Sequence, residues 1–193
     1  MTLMEILNTN LPEVKIIVPK VFGDSRGYFF ESWNNSKYAE LGINCNWVQD
    51  NESCSSYGVL RGLHYQAAPY TQAKLVRVIA GKVLDIAVDI RKNSPTFGKY
   101  AAVELSGENK YQLFIPRGFA HGFAVLSETA VFAYKCDNAY CPASERGIAF
   151  NDPELGIDWQ IDLTKALLSA KDMKNPLLKD AELFDYNSGE YLK

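Results

Sequence analysis

The amino-acid sequence predicts an all-β protein built as an antiparallel sandwich or barrel, and three observations support this. Between residues 74 and 136, apolar segments of about five to nine residues alternate with turns rich in Gly, Pro, Asn and Ser. Residues 83–91 alternate strictly between an apolar face and a face that carries charge. Helix-like patterns are short and few.

The predicted strands of this central region follow one another along the chain as KLVRVIA, VLDIAVDIR, YAAVELS, KYQLFIP, FAHGFAVLS and AVFAYKC. Two accessory helices are predicted, over Ser36–Gly42 and over Leu163–Asn175. The sequence has no internal repeat and no linker, so we expect one domain over residues 1–193. Its polar C-terminal tail, from about residue 176, is expected on the surface.

The composition excludes several classes of function. Apolar residues make up 47% and charged residues 22% of the chain, which is ordinary for a globular protein with a sizeable core. The net charge of -3 and the absence of a basic run argue against binding to nucleic acid or to an anionic membrane. A small anionic ligand needs only a few well-placed cations and stays possible.

The sequence also bears on the compartment and on metals. No apolar run approaches the length of a membrane span, and the first residues do not resemble a signal peptide, so we expect a cytoplasmic protein with four reduced cysteines. Metal-binding barrels of this size use two or three histidines, beginning with a closely spaced pair. This chain has only His64 and His121, far apart, so we expect no metal.

Strand alternation directs some reactive side chains towards the barrel interior. Lys74 shares a face with Val76 and Val78, where burial would lower the pKa of its ammonium group, although it could equally be a strand-end lysine that reaches solvent. Tyr134 alternates in the same way within AVFAYKC and is either packing or a positioned hydroxyl. His64, within GVLRGLHYQ, and His121, within PRGFAHGF, each have a purely structural alternative.

Four motifs in order resemble the dTDP-4-dehydrorhamnose 3,5-epimerase family, from about Val21 to about Asp172. They are GVLRGLHYQ, QAKLVRVIAGKVLDIAVDIRKNSPTFGKY, IPRGFAHGFAVLS and YCPASERGIAFNDPELGIDW. The resemblance implies a cupin-like jelly-roll barrel with a few short helices, a homodimer, no metal and no organic cofactor. The implied substrate is a 4-keto-6-deoxyhexose linked to thymidine diphosphate, a small molecule.

The resemblance also implies roles for individual residues. His64 would be the base that removes a proton beside the ketone, and Asp172 would orient it. Lys74 would stabilise the enolate oxygen, and Tyr134 would return a proton from the opposite side. Tyr140 would stack on thymine. The other expected contacts to nucleotide, diphosphate or sugar are Arg26, Glu31, Gln49, Asn51, Arg61, His121, Glu145 and Lys171.

One expectation concerns the backbone at Gly62. Simple alternation would send Arg61 and His64 to opposite faces of their strand, yet the resemblance places both at the site. We therefore predict a bulge or twist at Gly62.

Alternative functions stay open at this point. A relative that inverts only C3 or only C5, or a ketoisomerase on a related nucleotide sugar, could use similar acid and base residues. A barrel that binds a sugar nucleotide without catalysis would not need His64, Lys74, Tyr134 and Asp172 together, so the intact set favours an enzyme. The long motifs count against the ketoisomerase, and the first hypothesis is the 3,5-epimerase in dTDP-L-rhamnose biosynthesis.

Overall fold

Two antiparallel sheets face each other in the computed structural model, which describes residues 4–192. The strands are β1 (Met4–Asn8), β2 (Lys15–Pro19), β3 (Phe22–Asp24), β4 (Gly27–Phe29), β5 (Gln49–Ser56), β6 (Leu60–Gln66), β7 (Lys74–Ala80), β8 (Lys82–Asp89), β9 (Arg91–Lys92), β10 (Tyr100–Ser106), β11 (Gln112–Ile115), β12 (Phe119–Val125), β13 (Thr129–Cys136), β14 (Glu145–Gly147) and β15 (Phe184–Asp185). The larger sheet has the order β1-β2-β11-β7-β13-β5, and the smaller has the order β10-β8-β12-β6-β14. This arrangement confirms the predicted all-β, cupin-like jelly-roll class.

The space between the two sheets holds the main hydrophobic core. Strand alternation explains its membership, because Val76 and Val78 of β7 point inwards together with Phe132 of β13, whereas Leu75 joins a separate cluster outside. On β8 the charged face is the inner one, since Val83 and Ala87 belong to this core. Lys74 and Tyr134 therefore lie on inward faces, as the alternation predicted.

The outer face of the five-stranded sheet is covered by the C-terminal segment. The sequence-based expectation of a polar surface tail is wrong here, because Leu178, Phe184 and Tyr191 are each at most 5% exposed and pack against the sheet. β15 also pairs in parallel with β9. The apolar outer residues of β8 need a cover, and these widely spaced side chains supply it despite their polar neighbours.

The helical content is smaller than predicted. The helix expected over Ser36–Gly42 is present as α1 (Asn35–Glu40), and Asn34, rather than a serine, accepts its capping hydrogen bond. The helix expected over Leu163–Asn175 is absent. Its ends form only 3₁₀ turns, Leu163–Lys165 and Asp172–Lys174.

Tertiary hydrogen bonds explain this difference. The N–H of Leu167 donates to the carbonyl of Gly58 at 2.8 Å, and its carbonyl accepts from the N–H of Leu60 at 3.0 Å. An isolated helix of this length is marginal in water, so pairing with the edge of the sheet prevails. The other 3₁₀ helices are Pro142–Ser144, Leu178–Asp180 and Glu190–Leu192.

The predicted irregularity at Gly62 is confirmed. In the pairing of β6 with β12, His64 lies opposite His121 and Arg61 lies opposite Phe123, so Gly62 and the next residue face only Gly122. Gly62 has φ +128°, and a Cβ atom there would lie 2.5 Å from the Gly122 Cα. Only glycine fits this bulge, which puts Arg61 and His64 on the same side of the strand.

Candidate active site

A polar cavity lies between the two sheets, where β6 of the smaller sheet faces β5, β7 and β13 of the larger one. His64 approaches from one side, and Lys74 and Tyr134 approach from the other. This inner cavity has a volume of about 110 Å³. It adjoins an outer cavity of about 480 Å³ that is also lined by His64 and extends along Asp172 and Lys171.

His64 and Asp172 form a hydrogen-bonded pair. The His64 Nε2 and Asp172 Oδ1 atoms are 2.5 Å apart; the histidine side chain is 37% exposed and the carboxylate only 3%. Burial opposes ionisation of Asp172, but its contacts with His64 and Ser169 outweigh burial and hold its pKa below the usual range. The ionised carboxylate must accept from Nε2–H, which leaves Nδ1 as the proton-accepting atom of the ring.

Lys74 and Tyr134 face this pair from the larger sheet. Burial lowers the pKa of the Lys74 ammonium group, an effect that the nearby carboxylate of Asp85 opposes. Burial raises the pKa of Tyr134, so its hydroxyl stays protonated at neutral pH and is able to donate a proton. The cavity thus presents a base on one side and a cation and an acid on the other.

A second histidine and carboxylate lie deeper in the barrel. Asp85 is fully buried, and its two carboxylate oxygens lie 3.0 and 3.1 Å from the Nε2 atom of His121. Burial lowers the pKa of His121, although the charge of Asp85 opposes this. Asp85 is not among the site residues expected from the sequence. Its placement on the charged face of residues 83–91 was the signal that could have identified it.

The mouth of the inner cavity carries an aromatic ring with polar neighbours. Tyr140 is 48% exposed, and its hydroxyl donates to Glu145 Oε2 at 2.9 Å. Lys171 Nζ donates to the same oxygen at 2.7 Å. Gln49 Oε1 accepts from the Tyr140 N–H, and Gln49 Nε2 donates to Asn51 Oδ1, each at 2.9 Å. The structure therefore brings these five predicted residues together.

Four other predicted residues do not line either cavity within this chain: His121, which is enclosed with Asp85, and Arg26, Glu31 and Arg61. Arg26 lies at the exposed turn between β3 and β4 and pairs with Asp24 at 2.6 Å. Glu31 precedes α1 and bonds to side chains of that region. Arg61 donates to Ser55 Oγ at 3.0 Å, across the gap between the sheets, and its charge acts on Tyr134. Of Arg26, Glu31 and Arg61, it is Arg61 whose charge acts on a residue of the inner cavity, Tyr134.

Two further features of the described residues bear on metal ions and membranes. Within residues 4–192, no group of three or more His, Cys, Asp and Glu side chains is arranged to hold a metal ion. Over the same range, every helix is too short or too polar to traverse a lipid bilayer.

Comparisons with known proteins agree with this geometry. Residues 8–180 match the family model described as dTDP-4-dehydrorhamnose 3,5-epimerase. The chain is 53% identical to the enzyme of that name from Shigella flexneri over 182 residues, which cover 94% of this chain and 99% of the relative.

Solved structures give the same answer. The 3,5-epimerase of Legionella pneumophila, crystallised with dTDP-4-keto-L-rhamnose, has a TM-score of 0.92 and 54% identity, with 95% of this chain and 98% of the other covered. ChmJ, a 3'-monoepimerase from Streptomyces bikiniensis in complex with dTDP-quinovose, has a TM-score of 0.87 and 30% identity, with 96% and 99% covered. The family match and this level of identity leave one assignment: this chain belongs to the dTDP-4-dehydrorhamnose 3,5-epimerase family.

Proposed function

We propose that this protein inverts C3 and C5 of dTDP-4-dehydro-6-deoxy-D-glucose to give dTDP-4-dehydro-L-rhamnose. The observation that carries the proposal is the cavity in which the His64–Asp172 pair faces Lys74 and Tyr134. Family membership and the ligand of the Legionella relative support the same substrate class. An isomerase in dTDP-rhamnose biosynthesis needs this arrangement, whereas a binding protein would not.

The chemistry follows from the C4 ketone, which acidifies the hydrogens on C3 and C5. His64 takes one of these protons, and the electron pair left on carbon moves onto the C4 oxygen as an enolate. The Lys74 ammonium group stabilises that negative charge. Tyr134 then donates its proton to the carbon from the opposite face, which inverts the centre. Transfer of the proton from His64 back to Tyr134 through solvent resets the site for the second centre.

The binding roles complete the proposal. Tyr140 stacks on thymine at the cavity mouth, where half of its ring is exposed. Polar groups around Tyr140 and beside the sugar supply hydrogen bonds and charge. These groups are Gln49, Asn51, Glu145 and Lys171, whereas His121, enclosed with Asp85, supports the site from the core. Arg61 lies on the side of His64 that faces the diphosphate.

The proposal includes a homodimer and a cytoplasmic location. The β3–β4 hairpin exposes Phe22, Tyr28 and Phe29, an apolar surface suited to a partner subunit. Because Arg26 and Glu31 do not reach the cavities of their own chain, contact with substrate would need such a partner. All four cysteines are free thiols, which fits a reducing compartment.

The decisive experiment is turnover of dTDP-4-keto-6-deoxyglucose in deuterated water, followed by NMR. Deuterium at both C3 and C5 with an L-configured product is the expected result. The relative ChmJ makes single epimerisation the second candidate, and deuterium at one carbon only would favour it. Absence of deuterium from both carbons would favour a binding module.

The acid role of Tyr134 has its own test. The Tyr134→Phe variant removes the proton donor and leaves the base, so product formation should fall by about two to four powers of ten while deuterium exchange partly survives. Exchange and product formation measured on the same sample separate the two steps. If both fell to the level of a His64 variant, the division between base and acid would be wrong.

A further inference from the structure

Gln66 is a buried side chain that joins the strand of His64 to the loop of Tyr140. It lies two residues after His64 on β6 and is 5% exposed. Because side chains alternate along a strand, both residues point to the same face, about 7 Å apart along the strand. Both line the inner cavity.

The hydrogen bonds of Gln66 bracket Tyr140 on both sides. Its Nε2 donates to the carbonyl of Ala139 at 3.2 Å, and its Oε1 accepts from the N–H of Cys141 at 2.7 Å. The same Nε2 donates to the carbonyl of Tyr70 at 2.6 Å. One buried amide group therefore ties the backbone before and after Tyr140 to a central strand.

The ring of Tyr140 depends on this attachment. Nearly half of the residue is exposed, and within residues 4–192 its hydroxyl has one hydrogen-bond partner, the side chain of Glu145. Its own N–H bonds to Gln49, whose side chain is itself only partly buried. The position of the ring is set mainly by its backbone, and the part-buried bonds to the residues directly before and after Tyr140 come from Gln66.

We propose that Gln66 is a positioning residue, which fixes the Tyr140 ring at the distance from His64 that a thymidine-linked sugar requires. The inference rests on the proposed function, in which thymine stacks on Tyr140 while the sugar lies beside His64. Because His64 and Gln66 belong to one strand, the nucleotide end and the reacting end of the site share a rigid support. Gln66 itself need not touch the substrate.

The expected effect is a loss of affinity rather than of chemistry. The Gln66→Leu variant keeps a buried side chain of similar size but leaves two carbonyls and one N–H without their partner, so the loop should relax towards solvent. The Kd for dTDP and the KM for substrate should rise roughly tenfold or more, while kcat changes less than about threefold. A residue that is important only for folding would not raise Kd and KM while leaving kcat nearly unchanged.

Gln112→Leu is the matched control. Gln112 is a buried glutamine of the larger sheet, 1% exposed, whose amide bonds to the Tyr38 hydroxyl and the Ser32 carbonyl, each at 2.9 Å. Its replacement should lower the free energy of unfolding about as much as Gln66→Leu does, without changing dTDP affinity. Calorimetry with dTDP alone and steady-state kinetics, on both variants and the wild type, provide the measurement.

A double-variant comparison makes the test specific. If Gln66 acts through Tyr140, then Gln66→Leu should add almost nothing to the loss of dTDP affinity already caused by Tyr140→Ala. Additive losses, an unchanged Kd, or a kcat loss as large as the affinity loss would each overturn the proposal. If Gln66→Leu does not fold, Gln66→Glu replaces it. This change puts a carboxylate oxygen, which cannot donate a hydrogen bond, against the Ala139 and Tyr70 carbonyls.

Failure of this inference is distinguishable from failure of the proposed function. If the wild type places deuterium at C3 and C5 but Gln66→Leu binds dTDP normally, only the role of Gln66 is wrong. If the wild type binds dTDP but catalyses no exchange, the proposed function is wrong, whereas the dTDP titrations still decide the role of Gln66.

Discussion

The barrel contains two histidine–aspartate pairs, which have the same two residue types but differ in exposure and in access to the cavities. His64 and His121 lie opposite each other on neighbouring strands. The His64 side chain is 37% exposed, and the His121 side chain is 8% exposed. The first pair opens onto both cavities, and the second is enclosed by the core, where the His121 ring stacks near Phe132.

The origin of each carboxylate explains the difference. Asp172 comes from the irregular segment between residues 163 and 175, which pairs with the edge of the sheet, and it is hydrogen-bonded to His64 and Ser169. Asp85 comes from the centre of β8, between the two sheets, and shares the interior with the charge of Lys74. Proton exchange with a substrate requires access, so the same two residue types suit transfer in one place and rigid support in the other.

Among the variants that test this comparison, His64→Ala should cause the largest loss of turnover. We expect kcat to fall by about three to five powers of ten, because the base acts mainly in the transition state, whereas the Kd for dTDP should stay within about threefold. His121→Gln, which alters the enclosed pair, is the matched control and should retain more turnover. Near-normal turnover of His64→Ala would refute its role as the base.

Asp172→Asn should follow with the next largest loss. The amide is nearly isosteric but cannot stabilise the imidazolium that forms when His64 takes a proton, and we expect kcat to fall by about two to four powers of ten. Steady-state kinetics on this variant, on His64→Ala and on the double variant should show losses that do not add. Independent, additive losses would mean that the two residues do not act as a pair.

Asp85→Asn should separate stability from catalysis. The change weakens the buried contact to His121, so the free energy of unfolding should fall by about 1–3 kcal/mol, measured by urea denaturation. Turnover should fall less than in Asp172→Asn, because Asp85 has no access to substrate. An Asp85→Asn variant as inactive as Asp172→Asn would show that the enclosed pair takes part in proton transfer.

The smallest expected effect is on acid stability. The pKa of Asp172 is held below its usual range, so its charge stabilises the folded state fully above the usual carboxylate pKa, and this contribution is lost as the pH falls through the lowered value. The difference in Tm between wild type and Asp172→Asn should therefore narrow below about pH 4. Thermal unfolding at pH 7, 5, 4 and 3 gives the measurement; a constant difference contradicts it.

Local sequence patterns predicted the central strands well and the C-terminal third poorly. The alternation of KLVRVIA and AVFAYKC correctly turned Lys74 and Tyr134 inwards. The expected helix over residues 163–175 failed because Leu167 finds backbone partners on another element, which propensity does not describe. The buried residues of the tail are too widely spaced to form a periodic pattern, so their packing was not visible in the sequence.

The sequence by itself determined the fold class, the family and the inward faces of the strands, because these depend on patterns that extend only along the chain. It also located the bulge at Gly62, since the family resemblance puts Arg61 and His64 on one side although their spacing would separate them. Only the tertiary structure decided that Asp85 joins His121, how Gln66 holds the Tyr140 loop, and that Arg26 and Glu31 lie away from their own cavities. These relations join residues distant in sequence, and chain packing, rather than local periodicity, sets their distances.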